Sequence, residues 1–276
     1  MAKLASVLLA AALAGAFLGG CTAAQPPAVA KRKGPANEAA ATEEAPKKDR
    51  LPKSMQELEL SAQQLREIRA LRDDLKRDID PLFDAGLDFV RAIGVAAKRC
   101  KPDTPFMQME ASYMVNVGEQ FRPKLLDGVN RFHRILTPKQ RHALSERLLA
   151  DERKSRDTTG DRDQDRARSI GDELDLSFSQ IMQMLIRVQA LRSKFEDKID
   201  TWREHYRTAV AAFARDDFDA RKQAIAQVPA IELGTEVVRD AFRVMMPLLE
   251  QKQCEALGRY IEERVGEAER ARARKD

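Results

Sequence analysis

The chain is poor in aromatic residues and has little excess charge of either sign. Aromatic side chains make up 5% of its 276 residues, so the sequence offers no obvious platform for stacking nucleic-acid bases. The net charge is only +4, although 48 residues are basic and 44 acidic. Such a balance gives no strong field to attract a polyanion. We therefore expect no nucleic-acid partner.

Motifs of the common enzyme classes are also missing. The sequence has no Gly-rich phosphate loop, no nucleophile elbow and no paired Ser, His and Asp arrangement. Its three histidines are His133, His142 and His205, and no Cys or carboxylate accompanies them at the spacing of a zinc site. We predict no catalytic residue, no metal site, no cofactor and no small-molecule substrate.

Two Met-Gln-Met pairs raise a copper hypothesis. Met107 with Met109 and Met182 with Met184 stand two residues apart, and residues at that spacing on a helix do not face each other. Methionines at such positions more often fill gaps in a core or form an adaptable binding surface.

The first residues form an export signal. The stretch "MAKLASVLLAAALAGAFLGGC" places Lys3 before an apolar run that ends in small residues, which is typical of a secretory signal and too short for a stable membrane span. Its end resembles the lipobox of bacterial lipoproteins. That resemblance implies cleavage after residue 20 and a lipid on Cys21, which would anchor the protein in a membrane facing the periplasm. Thr22, rather than Asp, favours the outer membrane by analogy with enterobacterial lipoproteins.

Composition divides the rest of the chain into a tether, a linker and two periodic regions. Residues 21–54 are rich in Ala, Pro, Lys and Glu without an apolar period, which predicts a disordered tether. Residues 151–171 are dense in Asp and Arg and predict a charged linker. The periodic regions are residues 55–150 and 172–276.

A helix-capping pattern recurs in the periodic regions: Leu, then Ser or Thr, then two residues, then Gln. In such a capping box the hydroxyl accepts a hydrogen bond from a free N–H of the first turn, and the glutamine reaches back to the capping residue's own N–H. The three copies are Leu60, Ser61 and Gln64; Leu136, Thr137 and Gln140; and Leu176, Ser177 and Gln180.

The spacing of these boxes indicates an internal duplication. Leu60 and Leu136 are 76 residues apart, and Leu176 lies 73 residues before a degraded fourth copy at Leu249, where Glu250 replaces the hydroxyl. Residues 68–80 also align with residues 188–200 at a constant offset of 120. We conclude that one helical unit of roughly 100 residues, a usual domain size, occurs twice.

Helical periodicity defines the fold class. Apolar residues recur every three or four positions, which is typical of an amphipathic helix that buries one stripe. The stripes are Leu65, Ile68, Leu71, Leu75, Ile79 and Leu82 in the first unit, and Ile181, Leu185, Val188, Leu191, Phe195, Ile199 and Trp202 in the second. We predict an all-α protein of two tandem antiparallel helical hairpins, each with a short closing helix. The two units could pack as a pseudo-dimer within one chain.

An exported, charge-rich, helical chain with repeated Leu-Thr-x-x-Gln boxes resembles the LTXXQ-motif family, the Spy/CpxP type of periplasmic protein. The resemblance covers roughly residues 55–150 and 172–265. It implies an all-α cradle that binds unfolded proteins without ATP, or that dampens an envelope-stress sensor. Some relatives bind zinc. The duplication and the lipid signal depart from the family pattern.

The leading functional hypothesis is therefore a lipid-anchored periplasmic chaperone or envelope-stress protein. Its partners would be unfolded or envelope proteins, with the membrane reached through the lipid. Two alternatives stay open: a metal-responsive sensor or resistance lipoprotein, and a structural docking lipoprotein with one partner.

Two further cysteines, Cys100 and Cys254, occupy positions that are not equivalent under the repeat. In an oxidising compartment they form either one disulfide or two buried thiols. Nothing in the sequence fixes their separation, and a bridge requires Cα atoms within about 7 Å.

Overall fold

The computed structural model describes residues 55, 57–102, 104–157 and 171–273. The predicted signal peptide, Cys21 and the predicted tether lie outside these residues, and so does most of the predicted linker. The all-α prediction is confirmed, since no strand occurs in the described part of the chain. Within these ranges lie six long helices: α1 (Ala62–Lys98), α2 (Pro105–Ile135), α3 (Pro138–Asp157), α4 (Phe178–Phe213), α5 (Ala230–Met245) and α6 (Gln251–Ala273).

Helices α1 and α2 run in opposite directions along each other. The start of α1 meets the end of α2, where the Gln64 side-chain amide donates to the Ile135 carbonyl oxygen at 2.8 Å. Further along α1, Asp78 pairs with Lys124, which lies earlier in α2. Four residues of the predicted α1 stripe are buried, namely Ile68, Leu71, Leu75 and Leu82, whereas Leu65 and Ile79 are half-buried.

Helices α4 and α5 show the same opposed order of contacts. Arg187 near the start of α4 donates to the Val244 carbonyl oxygen near the end of α5, at 2.8 Å. Lys198, later in α4, donates to Glu236, earlier in α5, at 2.9 Å. Helix α5 has 16 residues against 31 in α2, so it covers much less of its long partner.

The shortening of α5 follows from the sequence before it. Two 3₁₀ turns, Ala220–Lys222 and Ala224–Gln227, stand where the repeat would place the first half of α2. Pro229 precedes α5, and a proline disfavours helical geometry in the residue before it. Asp219 begins the first turn by accepting a hydrogen bond from the Arg221 backbone N–H.

Helices α3 and α6 are exchanged between the two halves of the chain. Helix α3, from the first half, packs on α4: Leu148 lies against the buried cluster that contains Trp202 and Tyr206, and Arg207 pairs with Glu152 at 3.0 Å. These helices are 20 and 23 residues long, so the prediction of short closing helices is wrong. Residues 151–157, predicted as linker, continue α3.

Helix α6, from the second half, packs on α1 in the equivalent way. The two helices approach most closely at Gly94 and Gly258, where a Cβ on Gly258 would stand 2.9 Å from the Gly94 carbonyl oxygen. Lys98 and Glu262 pair beside this crossing at 2.6 Å. Each half therefore supplies a helix that covers the other half's first helix.

His133 joins the end of α2 to the segment that follows α4. Its ring is 3% exposed, its Nε2 lies 2.9 Å from the Arg215 carbonyl oxygen, and it packs against the rings of Phe213 and Phe218. Burial lowers the pKa of His133 below its usual value of 6.5, and the nearby Arg141 cation acts in the same direction, against the opposing effect of the Arg215 carbonyl.

We expect this histidine to make stability depend on pH. Because its folded pKa is depressed, the unfolded chain binds the proton first as pH falls below 6.5, and the free energy of unfolding then decreases. Denaturant titrations at pH 7.5 and 5.5 should show a smaller decrease for His133→Gln than for the unsubstituted protein. His142→Gln, at an exposed position, is the matched control and should retain the full decrease. Equal decreases in all three proteins would contradict this role.

Candidate functional site

The glutamines of the first two boxes pair with each other. Both hydrogen bonds of the capping box are present at Ser61 and Gln64, and both are present at Thr137 and Gln140. The Gln64 side-chain nitrogen also donates to the Gln140 side-chain oxygen at 2.7 Å. Gln140 in turn donates to the Leu58 carbonyl oxygen at 3.0 Å. The boxes therefore cap their own helices and tie two helix starts together.

The second half repeats this arrangement. Gln180 donates to the Gln253 side-chain oxygen and to the Leu248 carbonyl oxygen, both at 2.8 Å. Gln253 donates to the Asp175 carbonyl oxygen at 3.0 Å. The degraded fourth box therefore keeps the pairing function although Glu250 has replaced its hydroxyl residue.

A backbone feature accompanies both pairs. Glu59 and Asp175, the residues before Leu60 and Leu176, each have a φ of 50°, a left-handed conformation that is uncommon for residues other than glycine. The residue before each of them, Leu58 and Leu174, is 4% exposed. Each copy of the repeat thus contains a turn that buries a leucine. The same turn places a backbone carbonyl within hydrogen-bond distance of the second glutamine of the pair. Leu136 is also buried, at 3% exposure, while Leu60 and Leu176 are half-buried.

The structure joins Cys100 and Cys254 in a disulfide, with their Cα atoms 5.5 Å apart. Cys100 follows α1 in a left-handed conformation with φ 49°, and Lys101 donates to the Ala96 carbonyl oxygen to close the helix end. Cys254 lies in the first turn of α6 and is fully buried. The bridge fastens α6 of the second half to α1 of the first half, at the end opposite the Gln64 pair.

Among the described residues, exposed large apolar side chains are concentrated on the first half of α4. We define the α4 apolar face by Phe178, Met182, Leu185, Ile186 and Val188, which are 78%, 42%, 38%, 65% and 40% exposed. Phe178, Met182 and Ile186 are spaced by four residues and share one side of the helix. Exposed apolar side chains that cluster in this way mark interaction sites rather than ordinary surface.

A smaller apolar surface lies on the first two turns of α2. Phe106, Met109 and Tyr113 define this α2 apolar face and are 44%, 57% and 50% exposed. The α2 start packs through Met107 into the buried cluster that contains Met246, and the start of α4 is hydrogen-bonded to Leu248. Both faces therefore lie at the end of the molecule that carries the 3₁₀ turn Met246–Leu248.

Basic residues lie along the first half of α4, which carries the α4 apolar face. Residues 178–195 include Arg187, Arg192 and Lys194 and no acidic residue. Arg187 is held against the Val244 carbonyl oxygen, and Lys194 against Asp240 at 2.5 Å. This surface combines large apolar side chains with fixed cations, which suits extended segments that carry both apolar and acidic residues.

The sequence did not identify this face. It predicted Leu185 and Val188 as part of a buried stripe, and the structure shows that prediction to be wrong, while Phe195 and Trp202 of the same stripe are buried. A signal was present: Phe178, Met182 and Ile186 lie outside the predicted stripe and make this part of α4 apolar on more than one side. A helix that is apolar all round needs more cover than one partner provides.

None of the three histidines stands in a metal-binding group. Among the residues that the structure describes, no cluster of three or more His, Cys, Asp or Glu side chains could hold a metal ion. Within the same ranges, no helix is long and apolar enough to cross a membrane.

Replacing Gln140 by Ala should destabilise the protein by roughly 1–3 kcal/mol, because it removes a cap and takes away the hydrogen bonds that Gln140 makes with the Gln64 amide and the Leu58 carbonyl. Urea titration measures the change. Gln189→Ala, an exposed glutamine on α4, should stay within about 0.5 kcal/mol of the unsubstituted protein. Equal stability of the two variants would argue against a tying role for the glutamine pair.

Reduction of Cys100 and Cys254 should lower the free energy of unfolding by roughly 4–5 kcal/mol in the chain-entropy model, because the bridge closes a long loop. Denaturant titrations with and without a phosphine reductant test this. The double variant Cys100→Ala, Cys254→Ala should match the reduced protein and be insensitive to reductant. An unsubstituted protein that contains two free thiols when denatured without reductant would contradict the bridge.

Comparison with known proteins found no match: no family model, no curated protein and no solved structure is significantly similar to this chain.

Proposed function

We propose that this protein binds unfolded or partly folded proteins without ATP, as a non-catalytic chaperone. One observation carries the proposal: five large apolar residues in the first half of α4 are exposed. The repeat aligns α4 with α1, and α1 buries the equivalent position of its apolar stripe. Ile68, aligned with Val188 by the repeat, is 2% exposed, whereas Val188 is 40% exposed. Such selective exposure supports a binding surface.

The composition of the α4 apolar face supports a broad client range. Met182 and Ile186 offer apolar contact without a deep pocket, and methionine adapts its shape to different partners. Arg187 and Lys194 lie along the same helix, and both are held by contacts with α5. A client segment would bury apolar side chains on the face while its acidic residues approach these cations.

The proposed location rests on the sequence resemblance. A lipid on Cys21 would anchor the protein at the periplasmic side of a bacterial membrane, with the outer membrane favoured. Residues 22–54 would hold the helical part away from the lipid. The Cys100–Cys254 bridge supports an oxidising compartment, because disulfides persist there and are rare in the cytosol.

Aggregation assays test the proposal. Without ATP, the protein should suppress light scattering by a denatured model client at a few-fold molar excess. The double variant Phe178→Ser, Ile186→Ser should bind clients more weakly by on the order of tenfold for each anchor removed, since an interface anchor contributes more than about 1.4 kcal/mol. Both side chains are exposed, so these changes should leave the thermal unfolding midpoint nearly unchanged.

The matched control is Gln183→Ser, Gln189→Ser, which alters two exposed polar side chains on the same helix. It should suppress aggregation as well as the unsubstituted protein. Equal activity of both double variants would remove the α4 apolar face from the mechanism. Absence of suppression by the unsubstituted protein, together with retention of a single envelope protein in pull-down experiments, would replace the chaperone proposal with that of a docking lipoprotein.

A further inference from the structure

A cavity of about 180 Å³ lies between the two halves and is partly open to solvent. It lies between α1, α2 and α3 on one side and the end of α4, the 3₁₀ turns and the start of α5 on the other. Every face of the cavity comes from a different part of the chain, so it exists only because the halves pack together. It is separate from the α4 apolar face, none of whose residues lines it.

The lining is hydrocarbon almost throughout. Aliphatic and phenyl side chains such as Leu82, Val129, Phe132, Val210 and Val228 form the walls. The only polar side chains among the lining residues that the structure describes are those of Glu119, Arg122 and Gln223. A buried water needs two to four polar partners, and apolar cavities of roughly 150 Å³ stay dry and bind benzene. This cavity therefore has the size and chemistry to hold a hydrocarbon group.

The polar residues mark one end of the cavity. The Arg122 guanidinium donates to the carbonyl oxygens of Ala226 and Val228 at 3.2 and 3.3 Å and pairs with Glu119. Its side chain is 26% exposed, so this end reaches solvent. A ligand with an apolar chain and a polar end would place the chain among the aliphatic walls and the polar end beside Arg122.

The wall near Arg122 offers an entry route for a ligand. It consists of 3₁₀ turns rather than a long helix, and side-chain hydrogen bonds fasten it to α2. Besides the Arg122 contacts, the Asn130 side chain accepts from the Ala220 backbone N–H at 2.8 Å and donates to Asp219 at 3.0 Å. Such polar contacts near the surface break more readily than buried apolar packing, which provides an entry route for a ligand.

We propose that this cavity binds a single hydrocarbon chain, as in a fatty acid or the acyl group of a lipid, with the polar end of the ligand at Arg122. The size of the cavity admits one chain end and excludes a two-chain lipid as a whole. The proposal does not depend on the chaperone function, because the cavity and the α4 apolar face share no residue.

Trp202 provides a local reporter. It is the only tryptophan of the chain, is 8% exposed, and belongs to a buried cluster against which Ile225, Val228 and Ala230 pack. Those three residues also line the cavity. A brominated decanoate bound in the cavity should therefore quench Trp202 fluorescence in the full-length, disulfide-bonded protein, and the quenching should saturate at one ligand per chain.

The variant Val129→Phe fills part of the cavity and should weaken decanoate binding by roughly tenfold or more, since it displaces methylene groups that each contribute about 0.8 kcal/mol on burial. Val90→Phe places the same substitution at an exposed position of α1 that lines neither the cavity nor the α4 apolar face, and should leave binding unchanged. Val228→Phe fills the cavity from the opposite wall and serves as a second test if Val129→Phe does not fold.

Two brominated probes distinguish a free fatty acid from a membrane lipid as the source of the hydrocarbon chain. Saturable quenching by brominated decanoate indicates a free fatty acid, whereas quenching only by vesicles with brominated acyl chains indicates a membrane lipid.

Butyrate, which is too short to fill the cavity, should not displace the probe. The proposal is overturned by an absence of saturable quenching with both probes, by displacement with butyrate, or by equal loss of binding in Val129→Phe and Val90→Phe. A rise of the unfolding temperature with decanoate concentration supports it independently of any variant, because a ligand that binds only the folded state stabilises it by mass action.

Discussion

Paired glutamine side chains hold each half of this molecule closed at one end. Each glutamine caps its own helix, donates to the other glutamine and reaches a carbonyl beyond it. These contacts satisfy donors that a helix start leaves free, and they also fix how two helix starts lie against each other. The paired glutamines therefore set the direction in which α3 extends from the first half and α6 from the second.

The exchange of α3 and α6 turns two copies of one unit into a single molecule. Each copy gives a helix to the other, so neither half buries its apolar surface alone. The Cys100–Cys254 bridge strengthens only one of the two equivalent contacts, that of α6 on α1. The other contact, α3 on α4, relies on Trp202, Tyr206 and their neighbours.

Divergence between the copies forms one wall of the cavity. Because α5 is about half as long as α2, the second half has less helix to cover its own first helix and replaces the missing part with 3₁₀ turns. The 3₁₀ turns face the end of α4 and form one wall of the apolar cavity. The α4 apolar face lies at the opposite end of the same helix, beside the end of α5. The proposed protein-binding surface and the proposed site for a small apolar ligand therefore occupy different parts of the molecule.

The amino-acid sequence by itself determined the local structure. Helical periodicity and the capping boxes predicted the fold class and the starts of α1, α3 and α4, because those features depend on residues within one turn of each other. The tertiary structure decided which apolar residues are covered. Ile68 and Val188 occupy aligned positions in similar stripes, yet one is buried and the other exposed, since burial depends on whether a distant helix reaches the position. The pairing of Gln64 with Gln140, the bridge between Cys100 and Cys254 and the cavity between the halves share this dependence. Each requires groups far apart in the chain to meet, and no local pattern specifies that distance.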